Sequence, residues 1–186
     1  MPIVTISFFD GGELNVPGTD ATMVSEPLTD IMGIYEPEYL QKALGYPLWK
    51  LVNAALNPGP VPVGRFQDLI TGGVEYTDGN GFTKLWPGLN TAMNSPVAKY
   101  IWYWYQRKKA SYSSSQGEQK GKTENAENVG VATKQMQHWN SMSRATCEMW
   151  DYLTYSKDGG GAAKYSEFDI NQVDVRWFAV INAFNI

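Results

Sequence analysis

One histidine, His138, and one cysteine, Cys147, are all the imidazole and thiol in this chain of 186 residues. A zinc site built on thiolates and imidazoles takes about four such ligands, so zinc chemistry is set aside. His138 sits beside Trp139 in a helical pattern, with no acid partner fixed by spacing. It reads as a solvent-facing or core-edge histidine rather than a general base. Cys147 lies one position off the apolar stripe of the same helix and reads as an inert buried thiol. One cysteine also excludes an internal disulfide. Asp10, Asp20, Asp30 and Asp78 are scattered, and spacing alone pairs none of them for proton transfer.

Two short stretches imitate ligand loops. Asp78-Gly79-Asn80-Gly81 resembles the start of a calcium loop but lacks the downstream acidic pattern, so it reads as a tight turn. The glycines at 159–161 have no strand before them, which argues against a phosphate cradle. No nucleophile elbow, phosphate-binding glycine loop or helical metal motif occurs. The expectation is therefore a protein that is not an enzyme, with no catalytic residue, cofactor or metal assigned.

The elements that would carry any function are mostly helical. PIVTISFF alternates and is β-branched, so it predicts a short strand, and residues 10–30 read as an extended arm or loop. In EPEYLQKALGYPLWKLVNAALN, Pro37 suits a first helical turn and Leu40, Ala43 and Leu44 form a stripe. Gly45 and Pro47 then break the helix before Leu48, Leu51, Val52 and Ala55 resume it. RFQDLITGG predicts a brief helix stopped by Gly72 or Gly73. The β-prone runs around DGNG predict a hairpin near 74–86. Ser95-Pro96 is a helix start, and the helix runs to about Ala110, where Arg107, Lys108 and Lys109 favour its dipole.

A polar stretch, loop 111–125, separates that helix from a long one over 128–155. The long helix carries Ala132, Met136, Trp139, Met142, Thr146, Met149, Trp150 and Leu153 at helical spacing. In the tail, Val173, Val175, Trp177, Ala179 and Ile181 alternate with polar residues, predicting a strand or extended arm. The fold class is mainly α: a helical bundle over 35–156, with a small β-hairpin, an N-terminal strand or arm over 1–34 and a C-terminal arm over 157–186.

Composition narrows the partners. With 43% hydrophobic and 18% charged residues, the chain can bury a core. A net charge of -4 disfavours a role that grips nucleic acid through phosphates. No apolar run approaches the ~20 residues that span a bilayer, and the first residues carry no secretory pattern, so a soluble chain made in the cytoplasm is expected.

From Tyr100 to Tyr105 every position except Ile101 is aromatic. On a helical wheel Val97, Ala98, Ile101, Trp104 and Tyr105 share a broad face, while Trp102 and Tyr103 point away from it. A helix apolar all round is generally buried all round, so a core helix is the first reading. Because few other helices are available to cover it, Trp102 and Tyr103 are the candidates for burial by another subunit. The arm bearing Trp177, Phe178, Phe184 and Ile186 has little nearby chain to cover it, and suits docking on a neighbour.

The motifs YLQKALGYPLW, GVEYTDGNGFTKLWPGL and SPVAKYIWYWYQRKK, followed by GKTEN, QHWNSM and INAFNI, carry a resemblance. Over roughly residues 35–186 the chain resembles the head-to-tail connector (adaptor or ring) proteins of tailed bacteriophages, especially those of Bacteroidetes and crAss-like phages. The resemblance implies a structural virion protein of the neck, assembled in the host cytoplasm. It implies a homo-oligomeric ring of about 12 copies, a dodecamer, seated between the portal protein and a downstream tail or neck protein. DNA would pass through the lumen without specific binding, and no membrane is involved. An acidic balance suits such a conduit, because it repels phosphates. The resemblance makes loop 111–125, with Tyr112, Lys120, Lys122 and Glu124, and the arm over 168–186 the inter-subunit contacts. Residues 1–34 are additional to a minimal adaptor. The rival readings are a stopper or tail terminator, a carbohydrate- or ligand-binding module using exposed aromatics, and an enzyme such as a phage hydrolase. The last would need two acids, or an acid and His138, converging in one cleft.

Overall fold

The computed structural model describes residues 2–16, 22–56, 64–91, 94–109, 112–114, 117–119 and 131–181, with side chains in all but 22–27, 112–114, 117–119 and 131–132. The molecule is mainly helical, 60% by residue, with a small antiparallel hairpin. Its helices are α1 (Thr22–Leu44), α2 (Tyr46–Leu56), α3 (Arg65–Thr71), α4 (Pro96–Lys109) and α5 (Val131–Tyr155). Strands β1 (Val74–Thr77) and β2 (Thr83–Trp86) pair antiparallel, with Val74 opposite Trp86 and Thr77 opposite Thr83. A second short pair, β3 (Tyr112–Ser114) and β4 (Gly117–Gln119), lies within the stretch expected to be a loop.

The aromatic helix α4 lies between α5 and α1. It begins as its sequence predicts: Ser95 Oγ accepts the Ala98 N–H at 3.1 Å, capping the first turn. Pro96, Val97, Ala98, Lys99, Tyr100, Ile101, Trp102, Tyr103 and Tyr105 are all buried. The core reading of this helix holds on every side.

Two expectations change at the N-terminus. PIVTISFF forms no strand; Ile6–Phe9 is a 3-10 turn that buries Phe9. Its main chain finds partners in side chains rather than in a sheet, since Glu36 accepts the N–H groups of Ile3 at 2.8 Å and Val4 at 3.1 Å. The extended reading of residues 22–30 also fails, because α1 starts at Thr22 and Pro37 lies well inside it. Leu28, Ile31, Met32, Tyr39, Leu40 and Ala43 make one buried stripe at helical spacing. Burial of that stripe outweighs the missing proline N–H.

The break between α1 and α2 falls at Gly45, whose φ of 71° is the left-handed conformation that favours glycine. The hairpin is fixed from two directions. Asp78 Oδ1 accepts the N–H groups of Asn80 and Phe82, both at 2.9 Å, which closes the DGNG turn upon itself. Lys84 Nζ then joins Asp78, at 3.0 Å, to Asp151 of α5, at 3.4 Å. Trp86 stacks on Tyr152 with centroids 5.4 Å apart and donates to Leu69 O at 2.9 Å. At the end of α3 a Cβ on Gly72 would come within 2.1 Å of Pro87, so only glycine lets these two segments meet.

Of the two readings of the C-terminal segment, a strand or an extended arm, the arm is the one that holds. It holds a 3-10 turn at Ile170–Gln172 and further turns, and no strand among its described residues. Like residues 2–16, it is an irregular arm laid on the bundle. No helix among the described residues is long and apolar enough to cross a membrane.

Candidate functional site

The surface that answers for the aromatic helix is the chain's own tail. Phe178 is 1% exposed, its ring 5.4 Å from Tyr39 and 5.9 Å from Trp150. Trp177 is half-buried, with Lys42 Nζ 3.1 Å from its ring centroid. Its Nε1 donates to Tyr100 OH at 3.2 Å, and that hydroxyl donates to Glu38 Oε1 at 2.9 Å. Burial, with the Glu38 carboxylate adding to it, holds the Tyr100 phenol well above its usual range.

Three side chains of α5 grip the tail by its main chain. Ser143 Oγ donates to Phe178 O, and Trp139 Nε1 donates to Ala179 O at 2.8 Å. Asn140 engages both polar groups of Ile181, accepting its N–H at 2.7 Å and donating to its carbonyl at 2.9 Å. Positions 139, 140 and 143 share one side of a helix, which aligns them along an extended peptide. Side-chain amide and indole groups thus do here what a neighbouring strand does in a sheet.

The residues expected at a subunit interface distribute differently from the expectation. Trp102 and Tyr103 are 5% and 7% exposed, buried by α5: Trp102 lies 4.2 Å from the His138 ring and Tyr103 4.7 Å from Trp139. Phe178 is a core residue, and Trp177 joins the stack of Tyr35 and Trp104. These four are covered within the chain, so the notion that they lie uncovered is corrected. Trp102 and Tyr103 are covered by α5, and Trp177 and Phe178 are covered because the tail folds back onto α1, α4 and α5. Tyr112 lies in β3 with its side chain outside the described residues, as are Lys120, Lys122, Glu124, Phe184 and Ile186.

A second locus escaped the sequence. Lys99, the cation immediately before the aromatic run, is 6% exposed, and its Nζ donates to Ser141 Oγ at 2.9 Å. Among the described residues no carboxylate lies within ion-pair distance of it. Burial pulls its ammonium below the usual value, while Glu13 and Glu148 oppose the shift. Three adjoining cavities of about 550, 430 and 310 Å³ meet at Ser141. Glu13 and His138 both line the one of about 430 Å³, so an acid and the imidazole do converge. Burial holds His138 below its ordinary value; Glu13 opposes this, and Lys99 and Lys134 add to it. Cys147, expected to be buried, is exposed. Partial burial and the Asp151 and Glu148 carboxylates keep its thiol above the usual value, which leaves little thiolate. Among the described residues no group of three or more His, Cys, Asp and Glu could hold a metal ion.

The signal for this locus was Lys99 itself, a charge three and four positions before Trp102 and Tyr103. Its partner Ser141 is 42 residues away, beyond the reach of any spacing rule. No protein-family model, curated protein or solved structure matches this chain.

Proposed function

We propose that the chain is a structural, non-catalytic subunit of a tailed-phage virion, forming a ring between portal and tail through which DNA passes. The observation that carries the reading is the main-chain grip of Trp139, Asn140 and Ser143 on the tail. A cradle that recognises backbone can accept the same segment from an adjacent copy once assembly brings that copy close, which is the route of arm exchange. Each subunit then keeps its tail docked when alone and becomes linked on assembly. The resemblance of residues 35–186 to connector proteins and the net charge of -4 support the same reading. Predominance of helix favours it over the mostly β stopper and terminator proteins. The aromatic-platform reading loses its residues, since Trp102 and Tyr103 are buried.

The test is light scattering and electron microscopy of the full chain, alone and mixed with its portal protein. Rings on the portal are the expected result. A protein that stays monomeric in both samples, and is missing from the particle neck, overturns the reading.

A further inference from the structure

The Lys99 locus has more donors than acceptors. An ammonium carries three N–H groups, and Ser141 Oγ takes one of Lys99's. Ser141 accepts that bond through its oxygen, so its own O–H remains available, and among the described residues it has no acceptor. Ser141 is half-buried and its bond to Lys99 is only partly buried, so these donors face the cavities, where an acceptor from outside can reach them in place of water.

The walls select which acceptor. The cavity of about 550 Å³ has Lys99, Ser141 and Asn94 on one part of its lining and Phe8 and Leu14 on another. Asp10 and Glu13 also line it, and both are exposed, as is Glu148 in the adjoining space of about 310 Å³. Lys134 and Arg144, likewise exposed, bring the opposite charge at the two outer cavities. A doubly charged phosphate entering past Asp10 and Glu13 would meet like charge on two sides. A single negative charge on an apolar body meets the same two carboxylates with half the repulsion, and gains one buried cation and an apolar wall, the usual pattern of a small-ligand pocket.

The geometry points to a binding site for an apolar monocarboxylate, one oxygen on Lys99 Nζ and the other on the Ser141 hydroxyl, its body against Phe8 and Leu14. This site is independent of the ring reading, and either can stand without the other. A charge-assisted hydrogen bond of this kind commonly changes affinity by about ten- to a hundredfold.

Titration of the full chain with benzoate, hexanoate and inorganic phosphate, followed by calorimetry and by NMR shifts of the Lys99 and Ser141 amides, tests the assignment. The expected result is saturable binding of benzoate or hexanoate, with a Kd of about a millimolar or tighter, and none of phosphate. Lys99→Met, which keeps the volume and removes the charge, is expected to raise Kd at least about tenfold. Ser141→Ala keeps the amine and is expected to raise Kd about three- to tenfold, so the assignment is still tested if Lys99→Met fails to fold. It is overturned by no saturable carboxylate binding, by phosphate binding more tightly than benzoate, or by an unchanged Kd in Ser141→Ala or in folded Lys99→Met.

Discussion

Glu36 shows how one side chain can decide the course of a whole segment. Its two oxygens take the N–H groups of Ile3 and Val4 from a buried position, so residues 2–5 need no partner strand. Glu36→Gln keeps the shape but turns an amide donor toward one of those N–H groups. The expected cost is about 1–3 kcal/mol, read from the midpoint of urea unfolding. Asp78 sets a second local structure. Lys84, then the N–H groups of Phe82 and Asn80, hold its carboxyl below the usual range. A carboxyl whose folded pKa lies below its unfolded value of about 3.9 stabilises the fold above that pH. The contribution is lost as pH falls through the folded value. Proton NMR of the hairpin between about pH 5 and pH 2 should therefore show the Phe82 amide moving as the turn loosens. Asp78→Asn should remove that acid-dependent movement, and a titration unchanged by the substitution would contradict the role given to Asp78.

Among elements, the tail is where packing and accessibility compete. Phe178 fills a pocket between Tyr39, Tyr100 and Trp150, yet the exposed Arg176 stands two residues before it. Phe178→Ala should cost about 3–5 kcal/mol at a core position. Because a terminal segment can detach without the rest unfolding, much of that loss is expected as local release. The measurable sign is a rise of about a hundredfold or more in native-state trypsin cleavage after Arg176, with the helical circular dichroism retained. Equal loss of helix and of tail protection would mean that the tail and bundle unfold as one unit. The aromatic content of α4 follows the same logic, since its rings are neighbours of α1, α5 and the tail rather than a surface held in reserve.

On the scale of the whole molecule, arm exchange has a covalent readout. The Asn140 side chain makes two hydrogen bonds to the main chain of Ile181, which places the two residues side by side; with Trp139 and Ser143 still holding the tail, cysteines at both positions should oxidise to a disulfide. With Cys147 replaced by Ser to remove the exposed native thiol, Asn140→Cys combined with Ile181→Cys reports the path of the tail. If tails are exchanged, oxidised assemblies give a ladder of linked chains on a denaturing gel. If they are not, the product is monomer alone, and the ring has to be built on other surfaces.

The sequence by itself determined what depends on neighbours along the chain. Ser95-Pro96 starts α4, DGNG turns the hairpin, Gly45 separates α1 from α2, and Gly72 ends α3. Each is a matter of local backbone geometry, legible within about four residues. Glycine and proline hid the first half of α1, since they mark breaks in isolation and are overruled by a buried stripe. Tertiary structure alone decided the long-range pairs: Tyr39 with Thr146, Trp150 with the Ala43 carbonyl, Trp177 with Tyr100, and Lys99 with Ser141. Those contacts join positions that are 42 to 107 residues apart. No spacing encodes them, because they arise only when α1, α5 and the tail close around α4 and each polar group takes whichever partner burial leaves within reach.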